Sequence, residues 1–303
     1  MAGTRKTAVA VVLAALALTA TACNDTKDDG KNAAPAAPTT AASSAAAAPA
    51  KVSPAVFLEQ VTQKTSAAKS AKVTETITMG EIAMKGDGVI SWADGLKGEL
   101  TMDLSGSPLG KVMSPLTGSQ SAPYRFTKDG MYLRMGGQMV DAVGGKHWVH
   151  YSQADQAKAS GGASDQLKSA DPVEGVRALI ATNKVTEVGQ ETVAGKATTH
   201  YTGVLNADEI AAASGKGLTQ AQLDQMKEKL TTAGLSQETI DVWVDADQLV
   251  VQRTEAGDTK AGAFKASVLY SDYGVAVTTA SPVASDTIEA ADLMKLAKQN
   301  STS

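Results

Sequence analysis

Apolar and polar residues alternate with a period of two over residues 96–104. Leu96, Leu100, Met102 and Leu104 fall on one side, with Gly98 between them, and Lys97, Glu99, Thr101 and Asp103 fall on the other. Successive side chains of a strand point to opposite faces, so this pattern predicts a strand with one covered and one wet face. The pattern returns late in the chain, as Ile240, Val242 and Val244 against Asp241, Trp243 and Asp245, and as Phe264, Ala266 and Val268 against Lys265 and Ser267. Both halves of the sequence therefore feed one sheet. The extended segments "TETITM", "IAMKGDGVISW", "PYRFTKDGMYLRM" and "KHWVHY" add an antiparallel meander, with Asp87-Gly88, Asp94-Gly95 and Asp129-Gly130 expected as tight turns.

Helical periodicity frames and interrupts these strands. In "SPAVFLEQVTQKTSAAKS", Ser53 is placed to cap a helix that Pro54 opens, with Phe57, Leu58 and Val61 on one side. Three more helices are expected in "DPVEGVRALIATN", "NADEIAAAS" and "LTQAQLDQMKEKLTTAGL". In the last, Leu223, Met226 and Leu230 recur at spacings of three and four. The segment "TIEAADLMKLAKQ" closes the chain as a helix, 105–123 reads as a loop, and neither it nor the stretch 152–170 carries a recognisable motif. Strands at both ends with helices between them predict an α+β architecture, helices layered on a large antiparallel sheet.

The N-terminal region has a different pattern. Arg5 and Lys6 precede an apolar run over 8–18, followed by the small residues Ala20, Thr21 and Ala22 and the chain's single cysteine, Cys23. This is the layout of an export signal over 1–22. Its apolar run of about 11 residues falls short of the roughly 20 that span a bilayer. Residues 24–50 are rich in Ala, Pro, Thr and Ser and too poor in large apolar residues to fold, which predicts a flexible linker spanning about 30 Å. Residues 51–303 then form a single domain.

Composition narrows the function classes. Lys and Arg total 28 against 32 Asp and Glu, and no basic run occurs in the folded part, so the electrostatic footprint of a nucleic-acid partner is missing. No GxSxG elbow occurs. Gly189 and Gly195-Lys196 suggest a phosphate loop, but the spacing is one residue too long and Ala197 stands where a hydroxyl is needed. His147 and His150, three apart on a strand, point to opposite faces and cannot share a metal. His200 fits a hydrogen-bonding role, and Asp245 and Asp247 a strand-end turn. Trp92, Trp148 and Trp243 read as packing or edge residues. Methionines in strands, among them Met79, Met84, Met102, Met131, Met135 and Met139, suit either an adaptable core or an adaptable cavity lining. No catalytic cluster, metal or cofactor is expected.

Two resemblances sharpen this reading. Cys23, after small residues at the expected cleavage point, resembles the modified cysteine of a bacterial lipobox. That implies acylation of Cys23 and anchoring to the cytoplasmic membrane on its extracytoplasmic side, at about 0.8 kcal/mol per buried methylene of each chain. A secreted protein with a free thiol is the other possibility. The runs "VAGKATTHYTGVL" (193–205), "DVWVDADQLVVQR" (241–253) and "YSDYGVAVTTASP" (270–282) resemble the LppX/LprG group of actinobacterial lipoproteins with a LolA-like fold. The resemblance implies a curved, incomplete barrel, helices on its concave face, and an apolar cavity for the acyl chains of lipids or lipoglycans carried or presented in the envelope. Envelope transport proteins are the macromolecular partners it implies. Strand alternation nominates Leu100, Met102, Leu104, Ile240, Val242, Val244, Phe264 and Val268 as lining residues. An envelope docking or sensor module built on the same fold without a lipid is the alternative.

Overall fold

The computed structural model describes residues 52–158, 170–214 and 219–301. The export segment, Cys23 and the linker expected over 24–50 lie outside the described residues. Helix α1 (Pro54–Ala68) opens the described part, with the Ser53 hydroxyl accepting from the Val56 backbone N–H at 3.4 Å and Pro54 in the first turn. Strands β1 (Ser70–Met79), β2 (Ile82–Ser91) and β3 (Lys97–Asp103) follow, then α2 (Pro108–Thr117), β4 (Ser121–Thr127), β5 (Gly130–Arg134), α3 (Gln138–Ala142), β6 (Trp148–Ser152) and α4 (Gln153–Lys158). The second half holds α5 (Glu174–Thr182), β7 (Thr186–Val193), β8 (Lys196–Asn206), α6 (Ala207–Ser214), α7 (Gln220–Ala233), β9 (Gln237–Asp245), β10 (Val250–Thr259), β11 (Gly262–Ser271), β12 (Thr287–Glu289) and α8 (Ala290–Ser301).

The twelve strands form one sheet in the order β12-β6-β5-β4-β3-β2-β1-β11-β10-β9-β8-β7. Each neighbouring pair is antiparallel except β12 with β6. β7 and β12 end the order without pairing to each other, so the sheet stays open. It is the α+β architecture expected from the alternation, and both halves of the chain meet where β1 pairs with β11.

One face of this sheet holds the core. Leu58 and Val61 of α1, Val176 and Leu179 of α5 and Ile210 of α6 pack with Val73, Leu100, Tyr201, Val242 and Val268 from five strands. A second cluster joins Met102, Leu104, Ala122 and Leu133, closed over by Met113 and Leu116 of α2. A third, of Met135, Val149 and Ile288, lies toward the β12 edge with Leu293 of α8.

Three expectations are corrected. Asp87-Gly88 is not a turn but lies inside β2, opposite Thr74 and Val73. The chain reverses at Gly80 and Glu81 instead, where Gly80 takes φ +57°. Gly88 is required in the strand because a Cβ there would come within 2.0 Å of the Glu99 carbonyl oxygen. The segment 105–123 is not all loop: Pro108 starts α2, Gly118 ends it with φ +74°, and the spacing of Met113 and Leu116 turns both toward the core. The closing helix begins later than expected, because Thr287, Ile288 and Glu289 leave the helical pattern to pair in parallel with Trp148, Val149 and His150.

Gly88→Ala is expected to lower stability by about 1–3 kcal/mol through this backbone collision, read as a lower denaturant midpoint at unchanged slope; an unchanged midpoint would show that β2 and β3 do not approach so closely.

Candidate functional site

Strand register aligns the inner-face side chains in rows that cross the sheet. One row runs from Tyr270 on β11 through Val73, Gly88, Leu100, Tyr124, Leu133 and Val149 to Ile288. The next runs from Glu75 through Val268, Arg253 and Val242 to Tyr201. A third holds Ile77, Ala266, Glu255, Ile240 and Gly203. Alternation puts all of these on the side that the helices cover.

Of the eight nominated residues, Leu100, Ile240, Val242, Val244 and Val268 meet in the largest core cluster, and Met102 and Leu104 in the cluster beneath α2. These seven are between 0% and 3% exposed. Phe264 stands apart, half-buried between Met79 of β1 and Gly257 of β10. Around it the inner face opens: Ile77, Met79, Ile82 and Met84 are only partly buried, whereas Ala71, Val73 and Ile90 further along the same strands are buried. The apolar surface thus continues past the close-packed core toward the turns of the β1–β2 and β10–β11 hairpins, forming an apolar lip.

Just inside that lip the rows carry charge, which the nomination by apolar alternation passed over. Glu75 is 1% exposed and Arg253 2%. The Arg253 Nη1 donates to Glu255 Oε1 at 2.8 Å. Glu238 shares the face, two residues before Ile240 on β9. The sequence did hold a signal for this: Val73, Glu75, Ile77 and Met79 share one parity in β1, so a carboxylate interrupts an apolar file. Helix α5 can reach the ion pair because residue 175 is glycine; a Cβ there would lie 2.7 Å from the Arg253 Cδ and 3.0 Å from its Nη1.

Burial raises the Glu75 pKa from 4.5 to about 7, with Arg253 working against the rise and Glu255 adding to it. Burial likewise pushes Glu238 up to about 8, Glu255 reinforcing and Arg253 opposing. For Arg253, burial disfavours the charge, but Glu255 and the other acids around it outweigh that and hold it protonated. Burial also drives the Tyr270 phenol upward. Two oxygens in this region, Glu75 Oε2 and Tyr270 Oη, are buried with no hydrogen-bond partner among the described residues.

The histidines, Trp148 and Trp243 hold structure on the outer face and edges, while Trp92 packs against the core. His200 bridges Glu191 and Asp241, each at 2.9 Å, and stacks on Trp243 at 4.3 Å. His147 contacts Asp286 at 2.7 Å, while His150 contacts Glu289 at 2.9 Å and stacks on Tyr132. Trp92 donates to the Ser66 carbonyl, and Arg125 lies 4.7 Å above the Trp148 ring. Asp245 accepts from the backbone N–H groups of Asp247 and Leu249, an Asx turn at the end of β9. Among the described residues no three His, Cys, Asp or Glu side chains are grouped to hold a metal ion, and no helix is long and apolar enough to cross a membrane. A separate polar pocket of about 500 Å³ is lined by Thr117, Ser121, Arg134, Asp141 and His147 among others, and by none of the eight nominated residues.

Two relatives cover most of the chain. The uncharacterized 31.2 kDa protein of the rplA-rplJ intergenic region of Streptomyces griseus is 42% identical over 250 residues, 81% of this chain and 82% of that protein. The candidate lipoprotein SCO4650 of Streptomyces coelicolor is 33% identical over 302 residues, 96% of each. The chain belongs to this family of actinobacterial lipoproteins. Among solved structures this chain is similar to Mycobacterium tuberculosis LppX, at 14% identity and TM-score 0.43 over 75% of this chain and all of that one. It is also similar to Mycobacterium bovis LprF, at 17% identity and TM-score 0.43 over 77% and 100%. No described family profile matches the chain.

The raised Glu75 pKa links stability to pH in a definite direction. A carboxyl that is easier to protonate when folded contributes its full stability below pH 4.5, loses it as pH rises toward about 7, and has given up about 3 kcal/mol above that. Thermal unfolding of the protein is therefore expected to occur at lower temperature at about pH 8 than at about pH 5, and Glu75→Gln should flatten that slope. Equal slopes in the two proteins would remove Glu75 as its cause.

Proposed function

We propose that this lipoprotein binds the acyl chains of lipids or lipoglycans on the inner face of its sheet and carries or presents them at the extracytoplasmic side of the cytoplasmic membrane, held there by acylated Cys23. The observation that carries the reading is the apolar lip. Ile77, Met79, Ile82, Met84 and Phe264 extend the core's apolar rows to a partly exposed end, a surface that costs free energy in water and that a hydrocarbon chain would cover at about 25 cal/mol per Å². Moving a chain from bilayer to protein exchanges one apolar surrounding for another, so loading and release are both accessible. In this reading the eight nominated residues floor and line the site, and no catalytic step is assigned to it.

One observation favours a second reading, an envelope docking or sensor module. Seven of the eight nominated side chains pack against protein side chains at 0–3% exposure, which is how a filled core looks. The two readings separate by mass. In the first, native mass spectrometry of the protein gently purified from an actinobacterial host shows lipid adducts that Phe264→Asp and Met84→Asp reduce by about tenfold, both changes placing a charge on the lip. Protein free of adducts in repeated preparations would put the docking module first. The anchor has its own test: Cys23→Ser should move the protein from the membrane fraction to the medium, and retention in the membrane would rule out Cys23 as the tether.

A further inference from the structure

Three carboxyl groups, Glu75, Glu238 and Glu255, share the inner face with one guanidinium, Arg253, so the group carries excess negative charge once ionised. The Arg253–Glu255 pair at 2.8 Å uses the positive charge locally. Two buried oxygens, Glu75 Oε2 and Tyr270 Oη, then find no hydrogen-bond partner among the described residues, in residues 1% and 2% exposed. They sit on adjacent strands, Glu75 opposite Val268 and Tyr270 two positions along β11 on the same face. The phenol of Tyr270 lies in the field of Arg253, Glu255 and Glu75, which places it beside the acidic group.

An unmet acceptor in such a place is costly, because its desolvation is not repaid by a hydrogen bond. A carboxylate offers only lone pairs and a phenol oxygen offers lone pairs beside its own O–H, so a group bringing several N–H or O–H donors between them would supply both acceptors. Charge chooses among such donors. Water or a hydroxyl satisfies the lone pairs and leaves the negative excess in place; an anion worsens it; an ammonium group with three N–H donors answers both. The acids are not grouped to hold a metal ion, which leaves an organic cation.

We propose that this part of the inner face is a binding site for a primary amino group, with Glu75 and Tyr270 accepting its hydrogen bonds and Glu238 and Glu255 supplying the surrounding charge. The site deepens the acyl-chain reading and rests on it: the amine would arrive on an amphiphile whose hydrocarbon lies against Ile77, Met79, Met84 and Phe264. The charged and titratable groups facing the site are Glu75 from β1, Arg253 and Glu255 from β10, Glu238 from β9, Tyr270 from β11, and Asp171 and Glu174 at the start of α5. With no amine bound, protons balance the excess, since Glu75 titrates at about 7 and Glu238 at about 8. An entering ammonium displaces protons, and binding strengthens as pH rises.

Calorimetric titration of the Cys23→Ser chain recovered from the medium, with dodecylamine, dodecanol and laurate below their micellar concentrations and with chain-free ethylamine, tests this. Dodecylamine is expected to bind about tenfold more tightly than dodecanol at about pH 8.5, with laurate weakest, and to lose that advantage at about pH 6. Glu75→Gln and Tyr270→Phe should each reduce dodecylamine affinity about tenfold while leaving dodecanol unchanged. Equal binding of all three dodecyl probes would overturn the amine site and leave the acyl-chain reading intact. Binding of ethylamine alone would keep the amine site and sink the acyl-chain reading. Dodecanol binding as tightly as dodecylamine at both pH values would assign the orphan oxygens to a hydroxyl or to water, and no binding by any probe would overturn both proposals.

Discussion

The ion pair between the buried Arg253 and the partly buried Glu255 constrains the interior around it. A guanidinium stays charged wherever it is placed, so putting one on an apolar sheet face requires a carboxylate beside it and a neighbour that does not crowd it. Glu255 supplies the first requirement. Gly175 supplies the second, since any side chain at that point of α5 would strike the Arg253 stem. The helix layer thus approaches the sheet closely at this pair, and α1 and α6 both pack against α5.

This arrangement divides the inner face into three zones along the strands. Near Ala71, Val73 and Ile90 it is a close-packed core. In the middle it carries acids and one base in poor contact with water. Beyond them it is apolar again but partly open. A solid core has no use for the middle zone: a hydrophobic replacement of a buried charged group of similar shape is often neutral or stabilising. Under the proposed acyl-chain reading the zone would serve as a polar step between two apolar zones, giving a guest a defined depth.

Much of this fold could be read from the sequence. The alternation at Leu100 and Met102, at Ile240, Val242 and Val244, and at Ala266 and Val268 gave the right inner face for β3, β9 and β11, and capping residues marked α1. What stayed hidden depended on long-range packing. Asp87-Gly88 carries a strong local turn signal, and only the approach of the Glu99 carbonyl explains why glycine sits there within a strand. The parallel pairing of Ile288 with Val149 has no local signature at all. The acidic group was visible only as single polar residues at apolar parity, Glu75 in β1 and Arg253 and Glu255 in β10. Sequence alone does not show that register brings three strands' worth of them together. Apolar alternation also could not separate side chains that fill the core, such as Val242, from one at its margin, such as Phe264.

The central position of β1 has a consequence for how the molecule is made. This strand, near the start of the described chain, pairs on one side with β2 directly after it and on the other with β11, so that Lys72 meets Ser271. Few contacts in the protein span a longer stretch of sequence, and contacts of that kind slow folding. A polypeptide emerging N-terminus first can assemble the β1–β6 meander early, but it holds one flank of β1 open until nearly every later residue has been delivered. Until β11 arrives, β1 presents an unpaired strand edge, the kind of edge that invites pairing with other chains.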